Sequence, residues 1–172
     1  MAQPSAAAEM AACTSIVNLG GKEWKAAPLT LEDCGDWNMM AQAEHLRAAR
    51  RSLTDEEDPI RMISLWREAQ TFSTGLCIFS IRANNILNSM TGRVWLVWLS
   101  LRRGGATIHV PNGPPDMTRP LTTEDVYGWA VKEPAAFIEA VDTVLSLSGW
   151  MQKGEYKADP RAAILTLIER MS

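Results

Sequence analysis

The sequence has little of what metal-binding, disulfide-rich or membrane-spanning proteins need. Its 172 residues include three cysteines and two histidines. Cys13, Cys34 and Cys77 form no C-x-x-C pair, so we expect neither a disulfide framework nor a metal site, and a reducing compartment. The longest strongly apolar run, residues 94–101, is far shorter than the roughly 20 residues that cross a bilayer. No membrane contact is therefore expected.

Motifs for catalysis and cofactor binding are also missing. Cys34 and His45 would lie on one helix about 16 Å apart, too far for a nucleophile and its base. The Gly-Gly pairs at 20–21 and 104–105 lack the pattern of a phosphate-binding loop. The acidic run 55–58 lacks the ligand spacing of a calcium loop. The sequence thus predicts no catalytic residue, no metal and no cofactor, and indicates that the protein is not an enzyme.

Charge is unevenly distributed along the chain. Residues 1–58 carry five basic and ten acidic groups, residues 59–103 carry six and one, and residues 104–172 carry six and nine. The basic middle could bind nucleic acid, or the acidic flanks could neutralise it within the fold or across subunits. Because the pI is near 5.4, we expect neutralisation rather than a nucleic-acid partner.

The first predicted element is a β-hairpin at residues 15–26, because Gly20-Gly21 suits a two-residue turn between two short strands. The segment before it, residues 1–14, is predicted to be a flexible tail. A two-stranded ribbon is marginally stable alone, so it must lie on helices or pair with another copy of the chain.

Two helices are predicted next. Thr30 and Asp33 resemble a capping box for a helix at about 31–51, whose apolar stripe consists of Cys34, Trp37, Ala41 and Ala48. After an acidic loop, Asp58 and Pro59 begin a second helix that ends near Gly75. Its apolar residues recur every three positions, which predicts that they face the core: Ile60, Ile63, Trp66, Ala69 and Phe72.

The most apolar segment, residues 93–103, is either a buried helix or a buried strand; we favour a helix because Gly104-Gly105 makes a good helix stop. Prolines and glycines crowd residues 104–120, which predicts a loop insertion with a possible short strand at 106–110.

Further helices are predicted toward the C-terminus. One begins after Thr122 and restarts at Pro134, and a last amphipathic helix begins at Asp159-Pro160. The restarted helix has a predicted apolar face of Phe137, Ile138, Val141, Val144 and Leu145. The fold class is therefore mainly α: a single helical domain over residues 15–172 with a small N-terminal β-hairpin.

Seven tryptophans are many for a chain with two tyrosines and three phenylalanines. Tryptophan fills cores and also dominates binding hot spots. Trp37, Trp66 and Trp98 are predicted to lie in the core. The candidates for partner contact are Trp24, on the hairpin, and Trp129 and Trp150, near helix ends.

The order of these motifs resembles that of the tail assembly chaperones of tailed bacteriophages, the type represented by the G protein of phage lambda. The resemblance lies in Val-Asn-Leu-Gly-Gly-Lys-Glu-Trp at 17–24 and Pro-Leu-Thr-Leu-Glu-Asp at 28–33. It continues in Trp-Leu-Ser-Leu-Arg-Arg at 98–103, Pro-Pro-Asp-Met-Thr at 114–118 and Thr-Glu-Asp-Val at 123–126. Coverage is roughly residues 15–149.

The resemblance implies a non-enzymatic protein that binds the helical, aggregation-prone tape measure protein in the host cytoplasm and helps recruit tail tube subunits. An alternative is a permanent virion component, a connector or minor tail protein whose hairpin edge pairs with neighbouring copies in a homo-oligomeric ring. A third hypothesis is an enzyme or nucleic-acid binder built on the basic middle segment.

Overall fold

Helices dominate the structure, a computed structural model that describes residues 14–110, 114 and 116–149. The elements in chain order are β1 (Ser15–Leu19), β2 (Lys22–Ala26), α1 (Leu31–Ser52), α2 (Pro59–Thr74), a 3-10 turn (Ile81–Ala83), α3 (Asn84–Leu87), α4 (Met90–Arg103), β3 (Thr107–His109), β4 (Thr118–Pro120), α5 (Thr123–Lys132) and α6 (Pro134–Leu147). The mainly α fold with an N-terminal β-hairpin is confirmed. The predicted tail up to residue 13 and the predicted helix from Asp159 lie outside the described residues.

The N-terminal hairpin forms where the Gly-Gly pair predicts it. Gly20 and Gly21 have φ values of 60° and 68°, a left-handed conformation that favours glycine at both positions of the turn. β1 and β2 pair antiparallel, with Val17 opposite Trp24. Val17, Leu19, Trp24 and Ala26 are buried, so one face of the ribbon lies on the helices.

The capping box at the start of α1 is confirmed. The Asp33 backbone N–H donates to the Thr30 hydroxyl, and the Thr30 N–H donates to the Asp33 carboxylate over 2.9 Å. Arg103, from the end of α4, donates to the same carboxylate over 2.6 Å. Asp33 is buried, and its neutralisation by Arg103 ties the start of α1 to the end of α4.

The apolar segment 93–103 is a helix, as favoured, and α4 lies at the centre of the core. Its buried apolar residues are Val94, Trp95, Leu96, Val97, Leu99 and Leu101. Trp37 of α1 is fully buried beside it and donates its indole N–H to the Gly92 carbonyl over 3.1 Å. Ser100 donates to the Ala27 carbonyl over 2.6 Å, which joins α4 to the hairpin.

The segment predicted as a loop insertion contains a second hairpin. The possible strand at 106–110 is present as β3, and it pairs antiparallel with β4, with Ile108 opposite Arg119. Sequence patterning did not predict β4. A strand of three residues that ends in Pro120 carries too little alternation to be recognised.

Helices α5 and α6 complete the core. Thr122 and Asp125 form a second capping box, and Arg119 makes two 2.6 Å hydrogen bonds to the Asp125 carboxylate. The predicted apolar face of α6 is buried except for Ile138, which is 47% exposed. In α1, Ala48 is likewise exposed because the buried stripe ends at Ala41.

Candidate functional site

A helical arm extends from the core, formed by the second half of α1 and by α2. The two helices run antiparallel, since His45 lies against Phe72 with ring centroids 4.8 Å apart, and Gln42 donates to the Leu76 carbonyl over 3.2 Å. The only neighbouring element against which α2 packs extensively, among the described residues, is α1. Asp58 caps α2 by accepting the Ile60 N–H over 2.9 Å, as predicted.

The prediction that the apolar face of α2 lies in the core is wrong. Ile60 is 80% exposed and Ile63 is 54% exposed. Of all the residues of α2, Ser73 alone is buried. Apolar periodicity reports which side of a helix is apolar, whereas burial requires a second surface to cover that side. Here α1 covers one flank of α2 and leaves the others in solvent.

A groove of about 330 Å³ runs between the two helices of the arm. Its apolar lining consists of Ala49, Leu53, Leu65, Ala69 and Phe72, and its polar lining of His45, Ser52 and Glu68. Leu65 and Phe72 remain 38% and 37% exposed within it. An uncovered apolar groove between helices is a typical binding surface for an amphipathic helix.

Charged side chains border the arm. Glu44 forms ion pairs with Arg47 and, over 2.9 Å, with Arg51. Near the loop between the helices, Arg61 lies 3.2 Å from Glu56. These pairs are largely exposed, so they contribute little stability but leave an arm with polar edges around apolar residues.

The basic middle segment is partly neutralised inside the fold. Besides the Arg103–Asp33 pair, Arg102 donates to Asp36 over 2.7 Å and lies over the Trp98 ring at 4.7 Å from its centroid. These acidic partners belong to the N-terminal segment, as the charge distribution predicts. The arginines at the end of α4 therefore serve the fold.

Two of the three tryptophans predicted to bind a partner lie against each other. The Trp24 and Trp129 rings have centroids 5.1 Å apart. Trp24 is buried and donates its indole N–H to the Leu19 carbonyl over 2.8 Å, while Trp129 is partly buried. Their contact joins the hairpin turn to α5. Trp150 lies outside the described residues, and partner contact by these three residues stays a prediction.

The other tryptophans divide between the core and the arm. Trp37 is fully buried, and Trp98 packs on the core and donates to the Leu121 carbonyl over 2.8 Å. Trp66, also predicted to lie in the core, is only partly buried, on the arm. The sequence does contain a signal for the arm: residues 60, 62, 63, 65 and 66 are all apolar, more than one face of a helix can bury.

Metal ligands are not clustered in the part of the chain that the structure describes. No group of three or more histidine, cysteine or acidic side chains in this part could hold a metal ion. Burial, with Asp33 nearby, raises the pKa of the Cys34 thiol to about 11, so this thiol is protonated at neutral pH. Among the described helices, none is long and apolar enough to cross a membrane.

Comparison with known proteins gives no match: neither a family model, nor a curated protein, nor a solved structure is similar to this chain. The candidate site therefore depends on its own geometry. That geometry is an apolar groove on a two-helix arm, suited to contact with another protein.

Proposed function

We propose that this protein is a tail assembly chaperone of a tailed bacteriophage, which binds the tape measure protein through the α1–α2 arm. The role is non-enzymatic and uses no cofactor. The observation that supports it is the uncovered apolar groove of the arm, with Leu65 and Phe72 exposed in its lining and Ile60 and Ile63 exposed beside it. A long helical protein with apolar stripes presents the complementary surface.

The motifs that carry the family resemblance have structural roles in this chain. Gly20-Gly21 forms the hairpin turn, Thr30 with Asp33 caps α1, and Thr122 with Asp125 caps α5. They support the proposal only through the resemblance itself, since each motif forms a regular local structure at the position where it occurs. The groove supports it by offering a place for the client.

A chaperone of this kind would hold the tape measure protein in the host cytoplasm, help recruit tail tube subunits and leave before the particle is complete. Recruitment requires a second surface besides the arm, since the client covers the groove. Trp24, Trp129 and Trp150 remain the sequence-based candidates for partner contact in general.

Binding of the tape measure protein can be tested with a matched pair of variants. Both sites carry an exposed isoleucine, Ile63 on the arm and Ile138 on α6, so a charge at either position has a small effect on folding. Ile63→Glu, alone and with Ile60→Glu, should weaken co-purification of the tape measure protein from the same phage by about tenfold or more. Ile138→Glu should leave it unchanged. Equal retention by all variants would contradict the proposed role of the arm.

The alternative function is a permanent virion component that forms a ring. The observation that favours it is the outer edge of β1, which pairs with no further strand among the described elements. Quantitative mass spectrometry of purified particles, with the tail tube protein as internal reference, separates the two functions. A chaperone is present in infected cells and absent from particles, whereas a ring subunit has a fixed copy number per particle.

A further inference from the structure

Among the described residues, no strand pairs with the outer edge of β1. In a hairpin with a two-residue turn, the residues that flank the turn form a hydrogen-bonded pair, and bonded and non-bonded pairs then alternate. Leu19 and Lys22 flank the turn, so Ile16 and Asn18 occupy non-bonded positions. Their N–H and C=O groups point away from β2, and no described residue bonds to them. Two donors and two acceptors are thus presented side by side.

The outer edge of β2 differs from that of β1. A Cβ added at Gly104 would lie only 1.8 Å from the Lys25 carbonyl oxygen, so the end of α4 lies directly against this edge. The edge of β2 is therefore covered at Lys25, whereas no described residue bonds to the edge of β1. Of the two strands, β1 is thus the one beside which the described residues leave space for a further strand.

A groove of about 300 Å³ runs along the outer edge of β1, between this strand and α6. On the helix side, small residues at Ala136, Ala140 and Thr143 leave space for a backbone to approach. A strand edge beside a helix, with room between them, is the geometry in which an extended peptide adds to a sheet.

The charge of the groove selects the occupant. Glu139 is exposed and lines the groove on the helix side, and α6 has no lysine or arginine from Pro134 to Leu147. A twofold pairing of β1 with β1 of a second copy would bring two acidic α6 helices together, and β1 itself carries no basic residue. The strand β4 of a second copy ends in Pro120, and its Arg119 is held by Asp125. The chain's own strands therefore fit this groove poorly.

We propose that the groove between β1 and α6 binds an extended segment of another protein, which adds to β1 as a further strand and places a lysine or arginine beside Glu139. The backbone groups of Ile16 and Asn18 provide the affinity, and the acidic side of α6 provides the preference for a basic segment. This site shares no residue with the arm, so it stands or fails independently of tape measure binding.

Two heptapeptides serve as probes: both alternate threonine and valine, and the central residue is lysine in one and glutamate in the other. Each is titrated into the full chain labelled with 15N. The amide signals of Ile16 and Asn18 should shift and exchange more slowly with solvent. The lysine peptide should bind about fivefold more tightly than the glutamate peptide, and Glu139→Gln should reduce that preference to about twofold or less.

Proline variants at cross-strand positions give a matched control. Asn18→Pro removes an N–H from the outer edge of β1, and Glu23→Pro removes the opposite N–H from the outer edge of β2; neither N–H takes part in hairpin pairing. Asn18→Pro should weaken binding of the lysine peptide about tenfold and Glu23→Pro should not.

Three results would overturn the proposal. In the first, the peptides bind without slowing exchange at Ile16 and Asn18. In the second, both proline variants weaken binding equally. In the third, the two amides become protected as the protein concentration rises without peptide, which would show that a second copy occupies the edge.

Discussion

Helices α4 and α2 are similar in length but differ in what covers them. Eight of the 14 residues of α4 are buried, whereas one of the 16 residues of α2 is. The difference lies in their neighbours: α4 is surrounded by α1, β2, α3, α5 and α6, while α1 is the one described element against which α2 packs extensively. The body, defined as the elements around α4, is thus a closed hydrophobic core, and the arm is an apolar surface on which no described element beyond its own two helices packs extensively.

This comparison indicates where stability and binding are located. Burial of apolar surface is the dominant favourable contribution to folding, so the body holds most of the free energy of unfolding. The exposed apolar residues of the arm contribute little to that free energy, and their surface remains available to another protein.

The sharpest test of the comparison replaces one tryptophan in each region. Trp37 is fully buried, bonded to the Gly92 carbonyl and packed edge-on against Trp95 with ring centroids 6.2 Å apart. Trp37→Ala should lower the free energy of unfolding by about 3–5 kcal/mol, the usual range for such truncations. Trp66→Ala, on the arm, should lower it by about 1 kcal/mol or less. Urea denaturation measures both, and similar losses would show that the arm belongs to the core.

Acid should weaken the body through its helix caps. The hydrogen bonds from Arg119, with those from Thr122, outweigh the effect of burial and lower the pKa of Asp125 to about 2 from its usual 3.8. As the pH falls, the Asp125 carboxylate therefore binds a proton in the unfolded chain before it does so in the folded protein. The stability that Asp125 contributes is fully present above about pH 4 and is lost as the pH falls toward 2. After allowance for solvent screening, the loss is about 1 kcal/mol.

Asp33 adds to this loss in the same direction. Burial raises the pKa of its carboxyl, but the hydrogen bonds from Arg103 and Thr30 outweigh that effect and lower the pKa.

The contribution of Asp125 can be measured by urea denaturation at pH 7 and pH 3. Asp125→Asn should lose less free energy of unfolding between these pH values than the natural sequence does. Glu44→Gln, which breaks an exposed ion pair of the arm, is the control and should keep the full loss. An unchanged acid loss in Asp125→Asn would contradict the role of this cap.

The smallest effect is expected at the most exposed position of the arm. Ile60→Ser should change the free energy of unfolding by less than about 0.5 kcal/mol, because the side chain is 80% exposed. Amide hydrogen exchange should be faster in α2 than in α4, since a helix covered on one side opens more readily. If α2 exchanged as slowly as α4, the arm would be as stable as the body.

Sequence patterning predicted the local elements well because their signals are local. A Gly-Gly pair, the Thr30–Asp33 capping box, the helix start after Thr122 and Asp58-Pro59 act within a few residues of their own positions, and each is found where predicted. The preference for a helix over a strand at residues 93–103 also depends on a local signal, the Gly104-Gly105 pair that ends the helix. The strand β4 was missed because three residues carry no pattern.

The candidate site was harder to predict because it depends on contacts between distant residues. Trp24 belongs to a short hairpin that lies on the helices, so its side chain is buried, and its contact with a partner stays a prediction. Ile60 and Ile63 look like core residues because they recur at helical spacing. Whether a side chain is buried depends on which other surface faces it. The pattern of residues along one segment contains no information about that surface.

By itself the sequence determined the helices, the hairpin turn and the caps, because backbone conformation responds to neighbouring residues. It also determined that the apolar residues of α2 recur at helical spacing among polar ones. Only the tertiary structure decided that α1 covers one flank of α2, that the end of α4 covers β2 at Lys25, and that no described strand pairs with the outer edge of β1 beside α6. Burial is a relation between surfaces that are far apart in the chain, and it exists only once the chain has folded.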